Sequence, residues 1–127
     1  MLDRIKGFLG IGANKELSEF TVIGKGSKFE GRINTGKLYI EGEFYPTHAS
    51  SFSVLQIGES GVFKCEKETT IHNIDTIEIA GYFNGTVVAN NIHIHKGATV
   101  KGTLKYKNEF VCDGSSDIDA TLVKLFD

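Results

Sequence analysis

Hydrophobic and polar residues alternate along most of the chain in short bursts of period two, the pattern of strands with one buried face. The bursts recur. Ile92-His93-Ile94-His95-Lys96-Gly97-Ala98-Thr99-Val100-Lys101-Gly102-Thr103-Leu104 is one copy, and Thr21 to Ile33 (T-V-I-G-K-G-S-K-F-E-G-R-I) overlays it position by position. Ile23, Phe29, Gly31 and Ile33 then fall on Ile94, Val100, Gly102 and Leu104. Leu55 to Lys67 keeps Ile57 and Phe63 in the same places, but has Cys65 for the second glycine and Lys67 for the last apolar residue. Phe110 to Leu122 supplies Cys112, Ile118, Ala120 and Leu122, and shortened copies lie at Leu38 to Phe44 and Ile77 to Val87.

Anchored at Ile23, Ile40, Ile57, Ile79, Ile94 and Cys112, the copies start 17, 17, 22, 15 and 18 residues apart. A period near 17 is the mark of a solenoid. Gly, Asn, Ser and Thr separate the bursts and suit tight corners, some with positive φ. Three short strands and three corners fit into about 17 residues at roughly 3.3 Å per strand residue, which makes one triangular coil. The fold expected is all-β: a single-domain right-handed parallel β-helix of about six coils.

Composition agrees with this. The chain of 127 residues has the size of one domain, and its fifteen glycines and single proline suit many corners on an unbroken hydrogen-bond ladder. About four or five inward apolar side chains per coil, each contributing about 1.5–3 kcal/mol on burial, let the coils fold without metal or disulfide. A net charge of -2, with no basic run, argues against nucleic acid as a partner. Cys65 and Cys112 fall on inward positions of the third and sixth coils, about 14 Å apart at about 4.8 Å per coil, too far for a disulfide. They read as small buried hydrophobes in a reducing, cytosolic setting. No secretory leader pattern and no apolar run of transmembrane length is present.

Residues 1–19 stand apart from the repeat of 20–122, and 123–127 form a short tail. In Met1 to Asn14, Leu2, Ile5, Phe8, Leu9 and Ile11 gather on one side of a short helix, with Arg4 and Lys6 beside them. Such a segment can lie in the headgroup boundary of an anionic membrane, weakly as one copy and strongly as many copies on one polymer. Pro46 to Ser53 reads as a polar corner, and Cys65 to Asp75 holds the excess of the 22-residue step as a bulged surface loop. The ends of the repeat carry no capping helix unless the N-terminal segment serves. Open strand edges and an apolar cross-section are a liability in a monomer and a joint in a polymer. Phe20 and Val22 at one end, and Leu122, Leu125 and Phe126 at the other, are the candidate contacts between copies.

Catalytic chemistry is not visible. His93 and His95 share an outward face, since Ile92 and Ile94 point inward, and can bracket an ion from about 7 Å apart. Without a carboxylate or cysteine companion they read as solvated histidines and not as metal ligands, as do His48 and His72. Gly24-Lys25-Gly26 is a corner and not a phosphate loop, and Asn84-Gly85-Thr86 reads as a turn. No serine is spaced to meet a base. No cofactor or nucleotide is expected.

The residues Leu38-Tyr39-Ile40-Glu41-Gly42-Glu43-Phe44, Ile57-Gly58-Glu59-Ser60-Gly61-Val62-Phe63 and Val100-Lys101-Gly102-Thr103-Leu104, with the period, resemble the bactofilins, bacterial cytoskeletal proteins with a right-handed β-helix core. Met1 to Leu9 looks like that family's membrane-targeting segment, and Phe126 matches its tendency to close on an aromatic. The resemblance implies end-to-end polymerisation without nucleotide into apolar filaments at the cytoplasmic face of the inner membrane. Such filaments are scaffolds for cell-wall enzymes and influence cell shape, appendage placement or motility. The departures are Cys65, Lys67, the 22-residue step and the short final extension. A left-handed β-helix acyltransferase is the competitor, suggested by the six-residue steps from Ile57 to Phe63 and from Ile94 to Val100. Its hexads fail elsewhere, as in Phe29-Gly31-Ile33, and no catalytic histidine can be placed. A small β-sandwich binding module is disfavoured because its strands do not return at this period.

Overall fold

The computed structural model describes residues 19–47, 50–65 and 70–126. Among them ten strands run in chain order: β1 (Phe20–Ile23), β2 (Lys28–Gly31), β3 (Lys37–Ile40), β4 (Glu43–Pro46), β5 (Val54–Ile57), β6 (Val62–Lys64), β7 (Thr70–Ile79), β8 (Tyr82–Ile94), β9 (Thr99–Cys112) and β10 (Asp117–Lys124). Every named pairing is parallel and joins a strand to its counterpart one repeat on. The result is a β-solenoid of about six turns.

The register reproduces the anchors read from the sequence. Ile23 pairs with Ile40, Ile40 with Ile57, Ile57 with Ile79, Ile79 with Ile94, and Ile94 with Cys112. A second column runs Phe29, Phe44, Phe63, Phe83, Val100, Ile118, and a third joins Ile71, Val87, Leu104 and Leu122. Alternation along each strand turns these columns inward, where they form one continuous core. Its spine is aromatic: the ring centroids of Phe44 and Phe63 lie 5.5 Å apart, edge to face, and those of Phe63 and Phe83 lie 5.0 Å apart, stacked.

Glycine is required where coils touch backbone to backbone. A Cβ on Gly81 would collide with the carbonyl oxygens of Gly58 and Gly61. Gly102, at φ 106°, stands in the same way over the carbonyl of Gly85.

Several expectations need correction. The 22-residue step is not a loop throughout, because Thr70–Ile79 is one strand and the third-column place given to Lys67 belongs to Ile71, which pairs with Val87. Burial decides this, since Ile71 is buried in the core. The excess is absorbed partly by a register shift between Ile71 and Ile74, where Asn73 adopts φ 62°. The supposed polar corner Pro46 to Ser53 contains Phe52, which is buried, and Ser50, whose Oγ accepts from the Ile33 N–H at 3.0 Å. Asn84-Gly85-Thr86 lies inside β8 and is not a turn. From Thr70 onward the strands are long, 10, 13, 14 and 8 residues, so corners expected to separate short strands are taken within them. Cys65 is half-buried against the core, but Cys112 is exposed, because no further coil covers its inward column.

Candidate functional site

The ends of the solenoid are where the repeat stops being satisfied. Among the described residues β1 and β2 pair only with β3 and β4, and β10 pairs only with β9. The outer edges of these strands present main-chain donors and acceptors that the next coil would take up in the interior. Inward columns end there too. Phe29 has the place that Phe44, Phe63 and Phe83 occupy with no exposure, yet it is 40% exposed. Its ring meets that of Phe44 at 5.8 Å, and among the described residues no second ring packs against it. At the far end Leu122, below which Leu104 is fully buried, is 42% exposed, and Ile118 and Ala120 are half-buried.

The expected contact residues divide. Leu122 closes the third column, Leu125 is half-buried and donates its N–H to the Tyr106 carbonyl at 2.8 Å, and Phe126 is 84% exposed just beyond. These three gather on the last coil. Phe20 and Val22, at 59% and 54% exposure, lie in the first strand but alternate with Thr21 and Ile23, which pair with the buried Leu38 and Ile40. They therefore face outward on the flank of the first coil, in register with Lys37 and Tyr39, and not along the solenoid axis. Phe29, which ends the second column in the first coil, is not among the expected contacts. The column that already aligned it with Phe44, Phe63 and Phe83 was the signal that identifies it. The membrane-contact candidates Leu2, Arg4, Ile5, Lys6, Phe8, Leu9 and Ile11 lie outside the described residues, as does His48.

One serine does meet a carboxylate. Ser60 Oγ lies 2.9 Å from Glu41 Oε1, and the Tyr39 hydroxyl donates to Glu41 Oε2 at 2.7 Å. The Tyr39 hydroxyl first, and then that of Ser60, hold the Glu41 carboxyl below its ordinary range. The same contact raises the Tyr39 phenol. The trio forms a hydroxyl-carboxylate ladder across coils, Tyr39 and Glu41 on one and Ser60 on the next. Among the described residues no helix is long and apolar enough to cross a membrane.

A parallel β-solenoid whose end strands, among the described residues, pair on one side only and carry exposed apolar side chains defines a structural class of protein. The family model described as Bactofilin, polymer-forming cytoskeletal, matches residues 21–121, most of the chain. The chain belongs to the bactofilin family, and is thus a cytoskeletal scaffold protein of a family that self-associates into polymers. No curated protein and no solved structure matches it.

Proposed function

We propose that this chain polymerises end to end, without nucleotide, through its open first and last coils. The filaments lie at the cytoplasmic face of the inner membrane, where they organise cell-wall enzymes and influence cell shape or motility. The observation that carries the first part is the pair of unfinished coils, with Phe29 at one end and Leu122, Leu125 and Phe126 at the other. Stacking another copy there extends both the ladder and the apolar column, the arrangement by which strand addition joins chains. Phe20 and Val22 are then flank contacts beside the joint. Membrane attachment is supported by the apolar residues Leu2, Ile5, Phe8, Leu9 and Ile11 beside Arg4 and Lys6, with avidity along the polymer multiplying a weak single contact.

Sedimentation and electron microscopy of Phe126→Arg and Leu122→Arg test the joint. Short soluble oligomers are expected, and unchanged filaments would reject the assignment. Flotation with anionic vesicles tests the attachment: the full chain should float, and a chain lacking residues 1–14 should stay with the protein fraction. Equal flotation of both would remove the N-terminal segment from the account.

A further inference from the structure

The outward face of β7, β8 and β9 carries a side-chain cluster that polymerisation does not use. His93 stands on β8 and His95 directly follows it, and their rings stack with centroids 4.1 Å apart and planes at 19°. Nε2 of His95 lies 3.0 Å from Oε1 of Glu78 on β7. Nε2 of His93 lies 3.0 Å from Oδ2 of Asp113, just past β9, and Nδ1 of His95 is 3.8 Å from the same oxygen. The ladder explains the convergence. Glu78 is in register with His93, the His95 N–H donates to the Ile79 carbonyl, and the Asp113 N–H donates to the Ile94 carbonyl. Three successive coils thus bring polar groups to one spot.

The chemistry of this set is specific. One donor atom each from Glu78, His93 and His95 lies within 4.8 Å of the others. Bonds of about 2.0–2.2 Å from a metal ion to nitrogen and oxygen place neighbouring donors roughly 3–3.5 Å apart. The His95–Glu78 pair already has that spacing at 3.0 Å. The remaining gap closes by rotation of side chains that are 36% to 49% exposed. The two carboxylates bring two negative charges, which a divalent cation balances. Imidazole donors favour zinc, nickel and copper over calcium or magnesium, whose preference is for oxygen alone.

We propose that Glu78, His93 and His95 form a surface site for a divalent transition-metal ion of the zinc class, with Asp113 completing its charge. The ion clasps the coil of β7 to that of β8 and, through Asp113, to the segment leading into the last coil. A ligand that binds only the folded state stabilises it by mass action, so the C-terminal coils gain stability when the ion is present.

The test is calorimetric titration of the full reduced chain with Zn2+, alongside His93→Gln, His95→Gln, Glu78→Gln and Cys112→Ser. One ion per chain is expected, bound at least about tenfold more weakly in the first three variants and unchanged in Cys112→Ser. Zinc should also raise the midpoint of thermal unfolding in the unaltered chain and not in His95→Gln. Should a variant fold poorly, the zinc-edge X-ray absorption spectrum of the unaltered chain decides the matter by itself. Imidazole scattering with nitrogen and oxygen neighbours at about 2.0–2.2 Å supports the site. Sulfur at about 2.3 Å, uptake indifferent to His95→Gln, or no uptake overturns it.

Discussion

Phe63 and Phe29 occupy the same place in the same repeat, yet one is sealed and the other is 40% exposed. Phe63 lies between Phe44 and Phe83, with a coil on either side, while among the described residues Phe29 has a ring neighbour only in Phe44. The residue type and strand position are held constant, so the difference belongs to the neighbouring coil alone. In a solenoid a column residue is buried by the coil before it and the coil after it. Interior coils are therefore covered on both faces, whereas the terminal coils leave column residues such as Phe29 and Leu122 exposed. Leu104 and Leu122 repeat the contrast at the other end, fully buried against 42% exposed.

Phe63→Ala should have the largest effect, a loss of about 3–5 kcal/mol in denaturant unfolding, because both faces of the ring lose their packing. Gly81→Ala should follow at about 1–3 kcal/mol, since the added methyl meets two carbonyl oxygens that cannot withdraw without parting the coils. Phe29→Ala should lower the stability of the dispersed chain by only about 1–2 kcal/mol, but should shorten filaments, a split that separates stacking within a chain from stacking between chains. An equal loss for Phe29→Ala and Phe63→Ala would mean that the first coil is covered within the chain itself.

The smallest effect concerns pH. The hydrogen bond from His95, set against some cost of burial, holds the Glu78 carboxyl below its ordinary value. A group with a depressed folded pKa stabilises the fold above its unfolded pKa, and that contribution is lost as the pH falls through the lowered value. Glu78 is 37% exposed, so the contribution is no more than about 0.5 kcal/mol after solvent screening. Glu78→Gln should make the acid limb of a stability profile slightly flatter; a steeper limb would contradict the direction of the shift.

Much of the fold was legible because a solenoid writes its third dimension into a one-dimensional period. Ile23, Ile40, Ile57, Ile79, Ile94 and Cys112 are separated in the chain by one turn and in space by one ladder rung, so alignment of copies is also alignment of contacts. Legibility failed where the period failed. Lys67 held the place due to an apolar residue only because the excess of that step was counted as lying after it, whereas the register puts Ile71 there. Phe52 was hidden among the polar residues of its corner, where one aromatic carries no periodicity.

The ends were harder to read for a different reason. A repeat specifies which side chains face inward but not which of them go uncovered, so it does not single out Phe29 as an exposed column residue, and it does not show that Phe20 and Val22 face the flank. The companions of His93 and His95 were invisible because Glu78 and Asp113 lie a full turn away in sequence, on outward columns that the apolar pattern does not mark.

The central claim is that the ladder of one chain continues into the next. Cryo-electron microscopy of filaments grown from the full chain without nucleotide tests it most directly. Thin filaments are expected, with a strong repeat at about 4.8 Å along the filament axis and about six such rungs, roughly 29 Å, per chain. Discrete monomers or trimers, or filaments whose strand repeat runs across the axis, would contradict it.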